Sequence, residues 1–197
     1  MLDGVTRCSI GADRKYDVDL SVDARVIHDL SFLPGDSVND SIVLDHEIEI
    51  SCDGVETLSN LISKLQCMMM GDVNGAFRHI PVSGDEVGRF AGTIPKLGIL
   101  IIDLCCPIAW KYSPSSYWVA GTAINHLNAS SAPRWPQQPT PGRENFDAKA
   151  WCDDHTAIEQ DMGSRLAEAQ MVLRSAMVAI LGPEVCNEKK FTPWFVR

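Results

Sequence analysis

The chain has 197 residues, 45% hydrophobic and 22% charged, which is enough apolar material for a buried core and argues against wholesale disorder. Its formal net charge of -9 argues against a broad basic surface for nucleic acid, because affinity for phosphates comes from clustered Lys and Arg. Its seven cysteines, odd in number and without a CxxC pair, argue against a zinc module or a disulfide framework and point to a reducing, intracellular setting.

In chain order, residues 1–50 read as an irregular lobe. Short strand-like pieces such as Arg25–His28 alternate with turns, notably Leu33-Pro-Gly-Asp36. The acids Asp13, Asp17, Asp19, Asp23, Asp45, Glu47 and Glu49 read as solvated surface. No basic-then-apolar run at the start forms a signal peptide. Leu97–Ala109, broken by Asp103, is too short to span a bilayer, so a soluble chain with no membrane partner is expected.

Val55, Leu58, Leu61, Ile62 and Leu65 recur at helical spacing and predict a helix over Gly54–Gln66. Met68–Met70 is an apolar strand stopped by Gly71, with Asp72 at its end. Arg89–Ile94 and Gly98–Asp103 flank a Pro95–Gly98 turn and predict a hairpin. Ser113 as N-cap and Pro114 at the first helical position predict a helix to about Leu127. Ser130–Asn145 carries four prolines and Gly142, which suits only a loop. Ala148–Trp151 then leads into Asp153-Asp154. Leu166, Ala169, Leu173, Met177 and Ile180 form the apolar stripe of a helix that leaves Arg165, Glu168 and Arg174 outside, and Gly182-Pro183 stops it. Lys190–Val196 reads as a last strand. This order predicts an α+β fold with helices packed on one sheet face.

Asp72, Asp153 and Asp154 thus stand at the ends of apolar strands. Carboxylate oxygens suit a hard cation, so the three predict a site for Mg2+ or Mn2+. Two such ions roughly 4 Å apart would clamp both oxygens of an in-line phosphoryl displacement. His79, His155 and Cys152 lack zinc-ligand spacing and read as structural or surface residues. Ser113 lacks a Gly-x-Ser-x-Gly elbow and reads as a helix cap.

The motifs together resemble the reverse transcriptase family of retroelements, from about residue 20 to the C-terminus. Asp72-Val-Asn-Gly-Ala-Phe-Arg-His-Ile-Pro-Val82 is similar to the family's first catalytic motif. Cys106-Pro-Ile-Ala-Trp-Lys-Tyr-Ser-Pro114 is similar to the second, with Ala109 where the family usually has glycine. Trp151-Cys-Asp-Asp154 resembles the aromatic-x-Asp-Asp turn, and Asn187-Glu-Lys-Lys190 the lysine-bearing segment that follows it. Arg25–Ser31 with Ser37–Asn39 is similar to the fingers segment that carries a phosphate-binding arginine.

The resemblance implies partial fingers over 1–66 and a polymerase palm over 67–197, with a Pro-rich loop at 128–147 and the thumb and ribonuclease H outside this chain. It implies RNA-directed DNA polymerase activity, in which Mg2+ or Mn2+ supports transfer of deoxynucleotides to a primer 3'-hydroxyl on an RNA or DNA template. Asp72 and Asp153 would hold both ions and Asp154 would support them. Arg25 would contact the triphosphate, and Ala109 and Lys111 would line the nucleotide site. Lys189 or Lys190 would serve the leaving pyrophosphate, and Phe77 would exclude a ribonucleotide 2'-hydroxyl. The partners implied are a template-primer and deoxynucleoside triphosphates. Two other readings stand beside it: a non-catalytic, truncated retroelement remnant that folds without polymerising, and a metal-dependent nucleotidyl transferase or nuclease on a similar layer.

Overall fold

The structure, a computed structural model, describes residues 7–14, 18–19, 21–32, 34–43, 48–132 and 145–196. In chain order its elements are strands β1 (Arg7–Arg14) and β2 (Ala24–Asp29), helices α1 (Val38–Ser41) and α2 (Val55–Leu65), strands β3 (Cys67–Asp72), β4 (Ala91–Ile94) and β5 (Ile99–Ile102), helix α3 (Ser113–Ser130), strands β6 (Asp147–Trp151) and β7 (Asp154–Glu159), helix α4 (Arg165–Leu181) and strand β8 (Phe195–Val196). The α+β class is therefore as the sequence predicts. The strands form two four-stranded sheets, ordered β2-β1-β4-β5 and β6-β7-β3-β8.

The chain divides into two compact units, residues 1–48 with 77–116, and residues 49–76 with 117–197. Residues 49–66, assigned by resemblance to the fingers, cluster with the second unit. Residues 77–116, assigned to the palm, cluster with the first.

In the first unit β1 pairs antiparallel with β2 and parallel with β4, and β4 forms the predicted hairpin with β5. Gly98 closes that hairpin in the left-handed region (φ 63°), where glycine meets no Cβ penalty. Gly92 lets β1 approach β4, since a methyl there would lie 2.2 Å from Ile10 Cγ1. The core gathers Cys8, Leu30, Val38, Ile42 and Phe90, with Val82, Ala109, Trp110 and Tyr112 packed against it. Phe90 and Trp110 meet edge to face, centroids 5.1 Å apart. Ser37 caps α1 in a reciprocal capping box with Asp40. The buried Asp103 carboxylate lies 2.8 Å from His28 Nε2 and also pairs with Arg78.

In the second unit β3 lies between β7 and β8, antiparallel to both. Met69 and Cys67 are buried while Met68 and Met70 are half-buried, the alternation of a strand with one face on the core. α2 and α4 both pack against β7. Gln66 ends α2 in a left-handed cap (φ 71°), and Gly182 (φ 97°) ends α4 where Gly182-Pro183 predicted a stop.

Four expectations change. Ser113 is buried, and its hydroxyl donates to the Pro107 carbonyl at 2.6 Å instead of capping α3. Residues 128–130 of the expected loop belong to α3 and Asp147 to β6, while its prolines lie outside the described residues. Arg165 is buried because Glu159, also buried, draws its guanidinium to 2.6 Å. Of Lys190–Val196 only Phe195–Val196 forms a strand. Thr192 still docks the segment on β3, accepting from Met70 N–H and donating its own N–H to the Met70 carbonyl.

Candidate functional site

Three aspartates meet at one end of the second unit's sheet. Asp72 is the last residue of β3, and its register partner on β7 is Asp154. Directly opposed residues of an antiparallel pair present their side chains on the same face, about 5 Å apart at the backbone. Asp153 occupies the second position of the two-residue turn between β6 and β7. Its carbonyl accepts from Val73 N–H at 3.3 Å, which ties the turn to the end of β3. Cys152, the first turn position, has φ 54°, the left-handed backbone that tight hairpins require there. A non-glycine residue in that region carries strain of order 1 kcal/mol, and here the strained position sits beside the carboxylates.

The three acids share one field. Asp154 binds its proton more tightly than an ordinary carboxyl because of burial, then because of the charges of Asp153 and Asp72, with Lys190 easing the effect. Asp72 is buried, and both of its oxygens are held. Oδ1 accepts from Asn187 Nδ2 at 2.6 Å, and Oδ2 lies 2.8 Å from Lys190 Nζ. The hydrogen bond to Asp72 and the pull of all three carboxylates strengthen the hold of Lys190 on its proton. The segment bearing Asn187 and Lys190 is fixed to the end of β3 by the Val73–Cys186 bridge and by Asn187 N–H donating to the Asp72 carbonyl.

Beneath the turn lies a face of α3 that the sequence reading did not single out. Tyr117, Gly121 and Asn125 recur every four residues, one above the other. Asn125 Oδ1 is 3.0 Å from His155 Nδ1, so that nitrogen donates and carries the proton. Nε2 then accepts from the Tyr117 hydroxyl at 3.2 Å. Burial lowers the pKa of His155 to about 4, so the ring is neutral in this network. Burial followed by the charges of Asp153, Cys152, Asp72 and Asp154 raises that of the Tyr117 phenol. Burial and then Asp153 push the Cys152 thiol up to about 11. Gly121 lies against this network, where a methyl would meet the Tyr117 ring at 3.4 Å and the Cys152 carbonyl at 3.9 Å, both ordinary contacts.

Among the described residues, no group of three or more His, Cys, Asp or Glu is disposed to hold a metal ion. The donor chemistry still suits a hard cation, since Mg2+ needs only one or two carboxylates when substrate phosphates complete its shell. Asp72 with Asp153 or Asp154 would supply them once Lys190 left Oδ2. Both ring nitrogens of His155 are engaged within the protein, by Tyr117 and Asn125.

Asp72, Asp153, Asp154 and Lys190 are thus brought together. The other four candidates belong to the first unit. Arg25 is exposed on β2 opposite Asp13 in register, and Phe77 is half-buried at the start of a 3-10 turn. Asn39 clamps the segment that carries the remaining two. Its side chain donates to the Ala109 carbonyl (3.0 Å) and accepts from Lys111 N–H (3.0 Å). Ala109 has no left-handed φ, so alanine there costs no backbone strain. Lys111 is exposed, with Nζ 4.9 Å from the Tyr112 ring centroid.

Neither a protein-family model nor a curated protein matches this chain. Among the described residues, no helix is long and apolar enough to cross a membrane.

Proposed function

We propose that the chain carries a polymerase palm and part of the fingers of a reverse transcriptase-like enzyme, and that its carboxylate site serves transfer of deoxynucleotides to a primer 3'-hydroxyl. The observation that carries this reading is the register pairing of Asp72 with Asp154 beside the Asp153 turn, with Lys190 on Asp72. Asp72 and Asp153 would hold Mg2+ or Mn2+, and Asp154, with its tighter hold on a proton, would support them as the weaker ligand. Bound there, divalent cations would lower the pKa of the primer hydroxyl and neutralise charge on the triphosphate.

The chain's own residues position and select. The resemblance alone gives the first-unit residues their roles: Arg25 and Lys111 would bind phosphate and nucleotide, Ala109 would contact the nucleotide, and Phe77 would exclude a 2'-hydroxyl by its ring volume. Lys190 would face the leaving pyrophosphate. The strained Cys152 and the Tyr117–His155–Asn125 network below it would hold Asp153 and Asp154 in place.

A second reading, a remnant that folds without polymerising, is favoured by the engagement of both Asp72 oxygens inside the protein. Primer extension on an RNA template with Mg2+ or Mn2+ separates the two. Extension by the native chain and none by an Asp153→Asn, Asp154→Asn double variant is expected. Absence of extension by the native chain, with Mn2+ binding intact, would favour the remnant.

A further inference from the structure

The two oxygens of Asp72 have different kinds of partner. Asn187, which holds Oδ1, is itself fixed, because its N–H donates to the Asp72 carbonyl at 3.0 Å and its own carbonyl accepts from Lys190 N–H at 2.9 Å. Lys190, which faces Oδ2, has a side chain 60% exposed against 5% for Asp72. One partner is a neutral amide locked into the end of the sheet. The other is an ammonium on a flexible stem with open water beside it.

A buried carboxylate needs a paired charge or a metal, and Lys190 meets that need when no cation is bound. An ion pair this open on the lysine side is worth little, so a divalent ion competing for the same lone pairs displaces it. We infer that Asn187 fixes Oδ1 of Asp72 while Lys190 is a displaceable internal counter-ion on Oδ2, so that Lys190 sets how tightly the site takes a divalent cation. This rests on the cation site proposed above and adds to it a residue that opposes binding.

The sign of the effect is the test. Mn2+ affinity of the full chain, read from the free-ion electron paramagnetic resonance signal, is expected to tighten about fivefold in Lys190→Gln, where the competitor is gone. Lys189→Gln, which removes the same charge one residue away, is expected to change it less than twofold. Lys190→Arg, whose fork grips a carboxylate more firmly, is expected to weaken it, as is Asn187→Leu. Without Mn2+, Lys190→Gln is expected to melt lower than the native chain, and saturating Mn2+ to restore it.

If Asp153→Asn weakens Mn2+ binding but Lys190→Gln leaves it unchanged or weaker, the counter-ion role is overturned and the cation site stands. Equal tightening in Lys189→Gln would also overturn it, reducing the effect to net charge. If Asp153→Asn leaves Mn2+ binding untouched, the cation site falls and the counter-ion role falls with it.

Discussion

At position 155 a fully buried imidazole is held between a phenol that donates to it and an amide that accepts from it, an arrangement that suits only the neutral ring. Its folded pKa of about 4 lies below the ordinary value of 6.5. Between those two values the unfolded chain takes up a proton that the folded chain refuses. Stability from this residue is therefore complete above about pH 6.5, falls as the pH drops, and is gone near pH 4. About 2 kcal/mol should be lost from this source between pH 7 and pH 5. Urea unfolding of the native chain and of His155→Gln across that range checks it. The native curve should fall more steeply, and parallel curves would show that His155 does not titrate in this way.

Among the elements, α4 and β7 are joined by the least exposed ion pair among the described residues of the second unit. Glu159 accepts from Asp147 N–H at 2.7 Å and from Arg165 Nε at 2.6 Å, and Arg165 also donates to the Asn145 carbonyl and lies over the Phe146 ring. Burial raises the proton affinity of Glu159 more than these partners lower it. Arg165→Met should therefore cost about 3–5 kcal/mol, the usual consequence of leaving a buried charge unpaired. Adding Glu159→Gln, which keeps an acceptor for Asp147 N–H but removes the charge, should recover more than half. Chemical denaturation of the three chains measures both effects, and no recovery would place the loss in packing of the Arg165 stem.

What the sequence made visible follows from range. α2 and α4 were legible because their apolar spacing is local, and so were Asp72 and Asp153-Asp154, because strand ends and acids sit next to each other in the chain. Arg165 was misread because helical periodicity contains no information about a glutamate on another element. Asn187 and Tyr117 stayed hidden as site residues for the same reason, since each reaches its partner through the tertiary fold. β1 was missed because Gly11, Ala12 and Asp13 break any alternation, and its pairing with β2 supplies what the side chains do not.

For the molecule as a whole, the division into two compact units predicts a separate unfolding midpoint for each. The seven cysteines are all free thiols, and they are distributed so as to report on it. Cys8 and Cys106 are buried in the first unit and Cys67 in the second, and burial raises the pKa of all three, which keeps them unreactive while folded. Pulsed alkylation in rising urea, read by peptide mass, should show the two groups becoming reactive at different midpoints. One shared midpoint would mean that the units open together.

The interleaving of the units also orders events during synthesis. β3 ends at Asp72, and the strand that pairs with it along its whole length begins only at Asp154, after the whole excursion through residues 77–116. At ordinary elongation rates those roughly 80 residues take on the order of 4–16 s to emerge. For that interval Cys67-Met-Met-Met70 is an apolar strand with no partner along its length. The aspartate that anchors the site is thus among the earlier residues of it to be made, and it waits for its neighbours on a nascent chain that a holding chaperone is well suited to shield.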